Sequence, residues 1–166
     1  MNNPELVNLE KNKEIKPEVK ILTPFELEKI IYKGESLPQD DRFLPSEKGG
    51  VFKYFDISDF TNVLDKSNKF YPVIKIENKI VGLAELEENP NTFKTLWRKF
   101  LSIDSNQQNK GYASKLAEEI FKFAQKEGYS IESSSYSEIG YQKLKELFIK
   151  FAEKFDVNFI DTDKKV

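Results

Sequence analysis

Between Phe70 and Glu88 the chain reads FYPVIKIE, then Asn78 and Lys79, then IVGLAELEE: two runs of strand formers around a short polar break. Runs this apolar and this close bury themselves most readily as antiparallel neighbours joined by a tight turn, expected at Asn78 and Lys79. A third strand candidate, TLWRKFLSID, follows the turn ENPNTFK. In it Leu96, Arg98, Phe100, Ser102 and Asp104 alternate with Trp97, Lys99, Leu101 and Ile103, which predicts one set on each face of a sheet. Then the period changes. YASKLAEEIFKFAQKEGY sets Ala113, Leu116, Ala117, Ile120, Phe121 and Ala124 at helical spacing before Gly128 ends the pattern. SIESSSY reads as a strand, YQKLKELFIKFAEKF as a second helix with Leu144, Leu147, Phe148, Phe151, Ala152 and Phe155 on its apolar stripe, and VNFIDT as a last strand. A hairpin and a strand followed by helix, strand, helix, strand is the order of an α/β (α+β) domain.

Upstream the pattern is weaker. Residues 1–17 are polar and aperiodic, with Pro4 and Pro17, and read as a flexible arm before one domain spanning 18–166. VKILTP reads as a first strand, and PFELEKIIYKGE as a helix carrying Phe25, Leu27, Ile30 and Ile31 and stopped by Gly34. The loop SLPQDDRFLPSEKGG separates it from ISDFTNVLDK, a second helix with Asp56 or Ser58 as N-cap and Phe60, Val63 and Leu64 on its apolar side.

Composition then excludes whole classes of chemistry. The 166 residues suit one domain, and 14 Phe and 7 Tyr point to an aromatic core. A net charge of −2 with interleaved signs gives no nucleic-acid surface. No segment approaches the roughly 18 apolar residues of a membrane helix. The polar start MNNPELVNLEKNKE is unlike a secretory signal, so a cytoplasmic protein is expected. Without Cys or His the chain has no ordinary zinc ligands, no Ser-His triad and no thioester nucleophile. Catalysis falls to carboxylates, Tyr, Lys, Ser or the backbone, and no metal site is expected.

The stretch SNQQNKGYASKL lies where the third hairpin-side strand gives way to the first strong helix. The first turn of a helix leaves backbone N–H groups without partners, and a glycine there lets an anion approach the main chain. Gln108, Asn109, Lys110, Gly111, Tyr112 and Ala113 put a small residue two positions after the glycine and a cation just before it. An ordinary strand-to-helix loop fits the same residues. Set after a strand and opening an amphipathic helix, however, Q-x-x-G-x-A resembles the acetyl-CoA-binding motif of the GNAT superfamily of N-acetyltransferases. The resemblance runs from about Phe70 to Thr162. It implies a mixed, mostly antiparallel sheet with helices on both faces and splayed fourth and fifth strands. Acetyl-CoA would lie in the splay, its pantetheine arm bonding main-chain groups of Leu101, Ser102 and Ile103. Its pyrophosphate would rest on the turn from Gln108 to Ser114, held by the amides of Asn109, Lys110, Gly111, Tyr112, Ala113 and Ser114.

The resemblance also implies direct transfer of the acetyl group to a bound amine, which accords with the missing Cys. Tyr141, in IGYQKL, stands about where many members carry the Tyr that protonates the departing thiolate. The Asn and Ala that precede that Tyr in the family are not recognisable in SSSYSEIGY, and Tyr136 is the second candidate. Where some histone-type members carry a catalytic Glu, this chain has Trp97, so no base transfers. Glu85 and Glu87 share one face of their strand and can each take the amine proton through a water, or solvent can serve as base. The amide of Leu101 is the family's natural oxyanion donor, and Ser133, Ser134 and Ser135 can contact substrate. Acidic residues Glu35, Asp40, Asp41 and Asp59 point to a cationic acceptor, a small-molecule or protein amine. Pairing of the last strand edge to edge would give a homodimer. The unplaced base leaves a second reading, a catalytically inactive GNAT-like module that binds CoA or another protein. Neither G-x-G-x-x-G nor G-x-x-x-x-G-K-[ST] occurs, which disfavours dinucleotide and P-loop readings.

Overall fold

In the computed structural model the protein is described over residues 15–33, 68–77, 79–133 and 138–162, with the backbone alone for 31–33 and 138–141. The expected stop at Gly34, the loop after it, the helix around Phe60, most of the amino-terminal arm, Ser134, Ser135 and Tyr136 lie outside those residues. So do Glu35, Asp40, Asp41 and Asp59.

Strand β1 (Glu18–Leu22) leads into helix α1 (Pro24–Lys33). The junction is a capping box: the Thr23 N–H donates to Glu26 Oε2 at 2.7 Å and the Glu26 N–H returns to Thr23 Oγ1 at 3.3 Å, with Pro24 at the first helical position. Strands β2 (Lys69–Ile76) and β3 (Lys79–Glu88) form the expected hairpin. Ile76 pairs with Lys79, so the turn falls on residues 77 and 78, one position earlier than the sequence suggests. Glu77 takes φ 55° there, the left-handed backbone that matches a tight turn to the twist of its strands. Strand β4 (Thr95–Ile103), helix α2 (Tyr112–Glu127), strand β5 (Ser130–Ser133), helix α3 (Glu138–Phe155) and strand β6 (Phe159–Asp161) complete the chain. Helix α3 thus begins three residues before Tyr141, and β5 is described only as far as Ser133.

The six strands form one sheet in the order β1-β2-β3-β4-β5-β6. The first four run antiparallel to their neighbours, whereas β4 with β5 and β5 with β6 are parallel. Pairing between β4 and β5 covers only Thr95 to Arg98 against Ser130 to Ser133. Strand β4 continues to Ile103, whereas β5 is described only to Ser133, so the expected splay of the two strands falls on residues outside the described ones.

Adjacent residues of β3 face opposite ways, so both faces of the sheet need cover. Leu83 joins Leu22, Tyr71, Val73 and Phe100 beneath Leu27 of α1. Ala84 and Leu86 join Leu96 beneath α2 and α3, where Ala117, Ile120, Phe121, Phe148 and Phe151 fill the other layer. The rings of Phe121 and Phe148 meet edge to face with centroids 5.3 Å apart. Helix α2 comes close to the sheet over Gly82, where a β-carbon would stand 3.0 Å from Ile103 Cδ1 and 3.1 Å from Leu116 Cδ1.

The strict alternation expected along β4 fails at one point. Glu85 pairs with Phe100 and Leu86 with Arg98, leaving Lys99 as an extra residue in a β-bulge. Leu96 and Arg98 therefore face α2 and α3, while Phe100 packs on the α1 side. An extra residue changes the face of everything after it, and no side-chain pattern announces where it falls.

Candidate active site

The turn between β4 and α2 carries two residues in the left-handed region: Asn109 at φ 62° and Gly111 at φ 78°. Gly111 is the N-cap of α2, and it has no side chain with which to cap. The amides of Tyr112, Ala113 and Ser114 accordingly keep the positive end of a 16-residue helix open to an anion. A β-carbon built on Gly111 meets nothing within 4 Å, so glycine is required by backbone angle and its surroundings are open. Lys110 is exposed, its Nζ donating to Gln107 Oε1 at 2.9 Å, and Gln108 is exposed beside it. Tyr112 packs with Val81 and Leu116, which seats the helix start on the sheet. Ala113 and Ser114 are half-buried.

The free stretch of β4 ends at this turn. The Asp104 N–H donates to the Val81 carbonyl at 2.9 Å. In an antiparallel ladder residues alternate between bonding the neighbour and facing away. Counting back through the register Gly82 to Ile103, Leu83 to Ser102 and Ala84 to Leu101, the main chain of Ser102 bonds β3. The N–H and C=O groups of Leu101 and Ile103 point away from β3, toward the β5 side of the sheet. Of the three residues expected to bond a ligand there, two have main-chain groups so directed. The side chain of Ser102 is buried toward α1, its Oγ without a hydrogen-bond partner among the described residues.

At the last described pair of β4 with β5 sits Arg98, 4% exposed. Its Nε and Nη2 donate to Ser133 Oγ at 3.0 and 2.6 Å, and its guanidinium lies 5.7 Å from the centroid of Phe148. The Thr162 N–H donates to the Ser133 carbonyl at 3.0 Å, and Lys145 Nζ lies 2.6 Å from Asp161 Oδ2. A buried guanidinium needs such partners, and through Ser133 Arg98 ties β5 to β4. Tyr141 is in the first turn of α3, four residues before Lys145 and seven before Phe148; its side chain is outside the described part.

The two carboxylates considered as bases are both engaged with cations. Glu85 is buried on the α1 side, its Oε1 3.6 Å from Nζ of the equally buried Lys69. Glu87 is half-buried and bonds Lys99 Nζ at 3.0 Å, with that ammonium 4.1 Å above the Trp97 ring. Both stand on β3, on the side facing α1. Sequence reasoning gave no role to Arg98 or Lys69; for Arg98, a long cation in the centre of an apolar strand was the available signal, whereas Lys69 stands at the first position of β2. Among the described residues no cluster of His, Cys, Asp or Glu could hold a metal ion, and no helix is long and apolar enough to cross a membrane.

Comparison with known proteins bears on this geometry. The sequence profile of the acetyltransferase (GNAT) family matches residues 35–138, beginning well before the hairpin and ending at the start of α3. No curated protein sequence matches the chain. Among solved structures, an aminoglycoside acetyltransferase from an uncultured soil metagenomic sample is similar with a TM-score of 0.54 at 17% identity, over 81% of this chain and 86% of that one. An IAA acetyltransferase from Bacillus cereus gives 0.51 at 16% identity, over 79% and 74%. The aminoglycoside N-acetyltransferase AAC(6')-Iy, solved in complex with CoA, gives 0.51 at 12% identity, over 90% and 96%. At these identities the structures speak to the fold, while the profile spans most of the chain and takes in β4, the left-handed turn and α2. The chain belongs to the GNAT family of acetyltransferases.

Proposed function

We propose that the protein is an N-acetyltransferase that moves the acetyl group of acetyl-CoA directly to a primary amine within a ternary complex. The observation that carries this reading is the turn at Gly111, left-handed and uncapped, opening α2 directly after β4, whose described pairing with β5 ends at Arg98. Asn109 to Ser114 would bind the pyrophosphate and the edge groups of Leu101 and Ile103 the pantetheine arm. The CoA complex of AAC(6')-Iy, a protein of the same fold, supports that ligand.

In the reaction the amine, once deprotonated, attacks the thioester carbon. The oxygen that gains charge accepts from the Leu101 N–H, the C–S bond breaks, and Tyr141 returns a proton to the thiolate. Glu87 or Glu85 accepts the amine proton through water, or solvent does so. The acceptor is a small-molecule or protein amine, cationic before it reacts, and the aminoglycoside acetyltransferases of similar fold favour the first kind. The protein works in the cytoplasm, without nucleic acid or membrane, as a monomer or as a dimer joined along β6. The ion pairs that occupy Glu85 and Glu87 favour a second reading, a module that binds CoA without transferring acetyl groups.

Calorimetric titration with acetyl-CoA, with ATP and NAD as controls, tests the donor, and an amine screen then separates the two readings. In an active protein Tyr141→Phe is expected to lower kcat about 100-fold while acetyl-CoA binding stays within twofold. Equal losses in both would remove Tyr141 from the acid role.

A further inference from the structure

Asp104 is 7% exposed at the end of β4, and every polar group it owns is engaged. Its N–H donates to the Val81 carbonyl at 2.9 Å, which lashes the end of β4 to β3. Its carbonyl accepts from the Gln107 N–H at 2.8 Å and its Oδ1 from the Asn106 N–H at 2.9 Å, which bends Ser105–Gln107 into a single 3-10 turn. Its Oδ2 lies 3.6 Å from Nζ of Lys79, at the start of β3. The chain of contacts continues outward, because Gln107 Oε1 then accepts from Lys110, the residue before Gly111.

Asn109 and Gly111 are residue types that enter the left-handed region readily, but neither is confined to it, so their own preferences permit this path without fixing it. Contacts made by the end of β4 can fix it. We infer that Asp104 is the positioning residue of this turn, setting the path from Ser105 to Gly111 so that the α2 amides are aimed before any ligand arrives. Preorganisation of this kind improves affinity by lowering the ordering cost of binding. The inference rests on the reading of the turn as a pyrophosphate cradle.

The test compares wild type with Asp104→Ala by CoA calorimetry and by amide hydrogen exchange. Asp104→Ala is expected to raise the Kd for CoA about tenfold and to speed exchange at Asn106 to Gly111, with β3 and the centre of α2 unchanged. An unchanged Kd overturns the inference. So does faster exchange spread through sheet and helix, which would mark Asp104 as a general stabiliser. Should Asp104→Ala fail to fold, Asp104→Asn, which keeps a neutral oxygen facing Asn106, carries the same test at about threefold. If wild type itself binds no CoA, the acetyltransferase reading falls, while the exchange pattern still decides whether Asp104 holds the turn.

Discussion

At Gly111 the backbone angle alone makes substitution costly. An L-residue at φ 78° pays roughly 1–2 kcal/mol, more for a β-branched one, and its β-carbon would stand in the open approach to the helix amides. Gly111→Val is expected to lower Tm by a few degrees and to weaken CoA binding at least tenfold; calorimetry showing unchanged affinity would mean these amides hold no ligand. Tyr129 offers a check unrelated to catalysis. Burial, and then a hydrogen bond donated to the Glu88 carboxylate, push its phenol up to about 12 from 10.0. A proton held more tightly in the folded state stabilises fully below pH 10, and that contribution is lost as pH rises through about 12. Denaturant titrations from pH 9 to 12 should therefore show falling stability, with a shallower fall in Tyr129→Phe. Legibility at this scale followed locality. Gly111 stood out because a turn and a helix start are set by neighbours in sequence. The pairing of Lys69 with Glu85 joins two strands through a buried contact, and no local pattern encodes it.

Among the elements, α2 and α3 were legible because each repeats one stripe over four or more turns, and the packing uses that stripe: Leu116, Ala117, Ile120, Phe121 and Ala124 are all buried on α2. Phe148 is fully buried on α3, between Phe121 and Phe159 at 5.3 and 5.6 Å. Phe148→Ala is expected to destabilise the fold by about 3–5 kcal/mol, read as a lower denaturant midpoint with an unchanged slope. A cost below 1 kcal/mol would mean that α3 adds little to the core. The shorter elements were harder. The hairpin turn moved by one residue because Glu77, Asn78 and Lys79 are all polar and any two of them could make the bend. The bulge at Lys99 was invisible, since it exists only as a mismatch between two strands, yet it decides that Phe100 packs beneath α1 while Arg98, just before it, reaches Ser133 on the other face.

For the whole molecule, the alternation of periods from 2 to 3.6 and back gave the element order of an α/β (α+β) domain, and the GNAT resemblance added the mixed sheet with helices on both faces. The profile match reaches back to residue 35, into a region where side-chain periodicity alone showed only a weak helix. Charge and composition argued against a dedicated nucleic-acid surface and an ordinary zinc site but said nothing firm of the acceptor. The strand order along the sheet has a consequence for how such a protein is made. Because β1 to β6 lie side by side in the order in which they are synthesised, no strand has to wedge between two that are already joined. As the chain leaves the ribosome, β2 to β4 can close first through short connections, and β5 and β6 can then be added at the growing edge. The crevice proposed for acetyl-CoA, which would lie between β4 and β5, is then finished among the last parts of the protein to form.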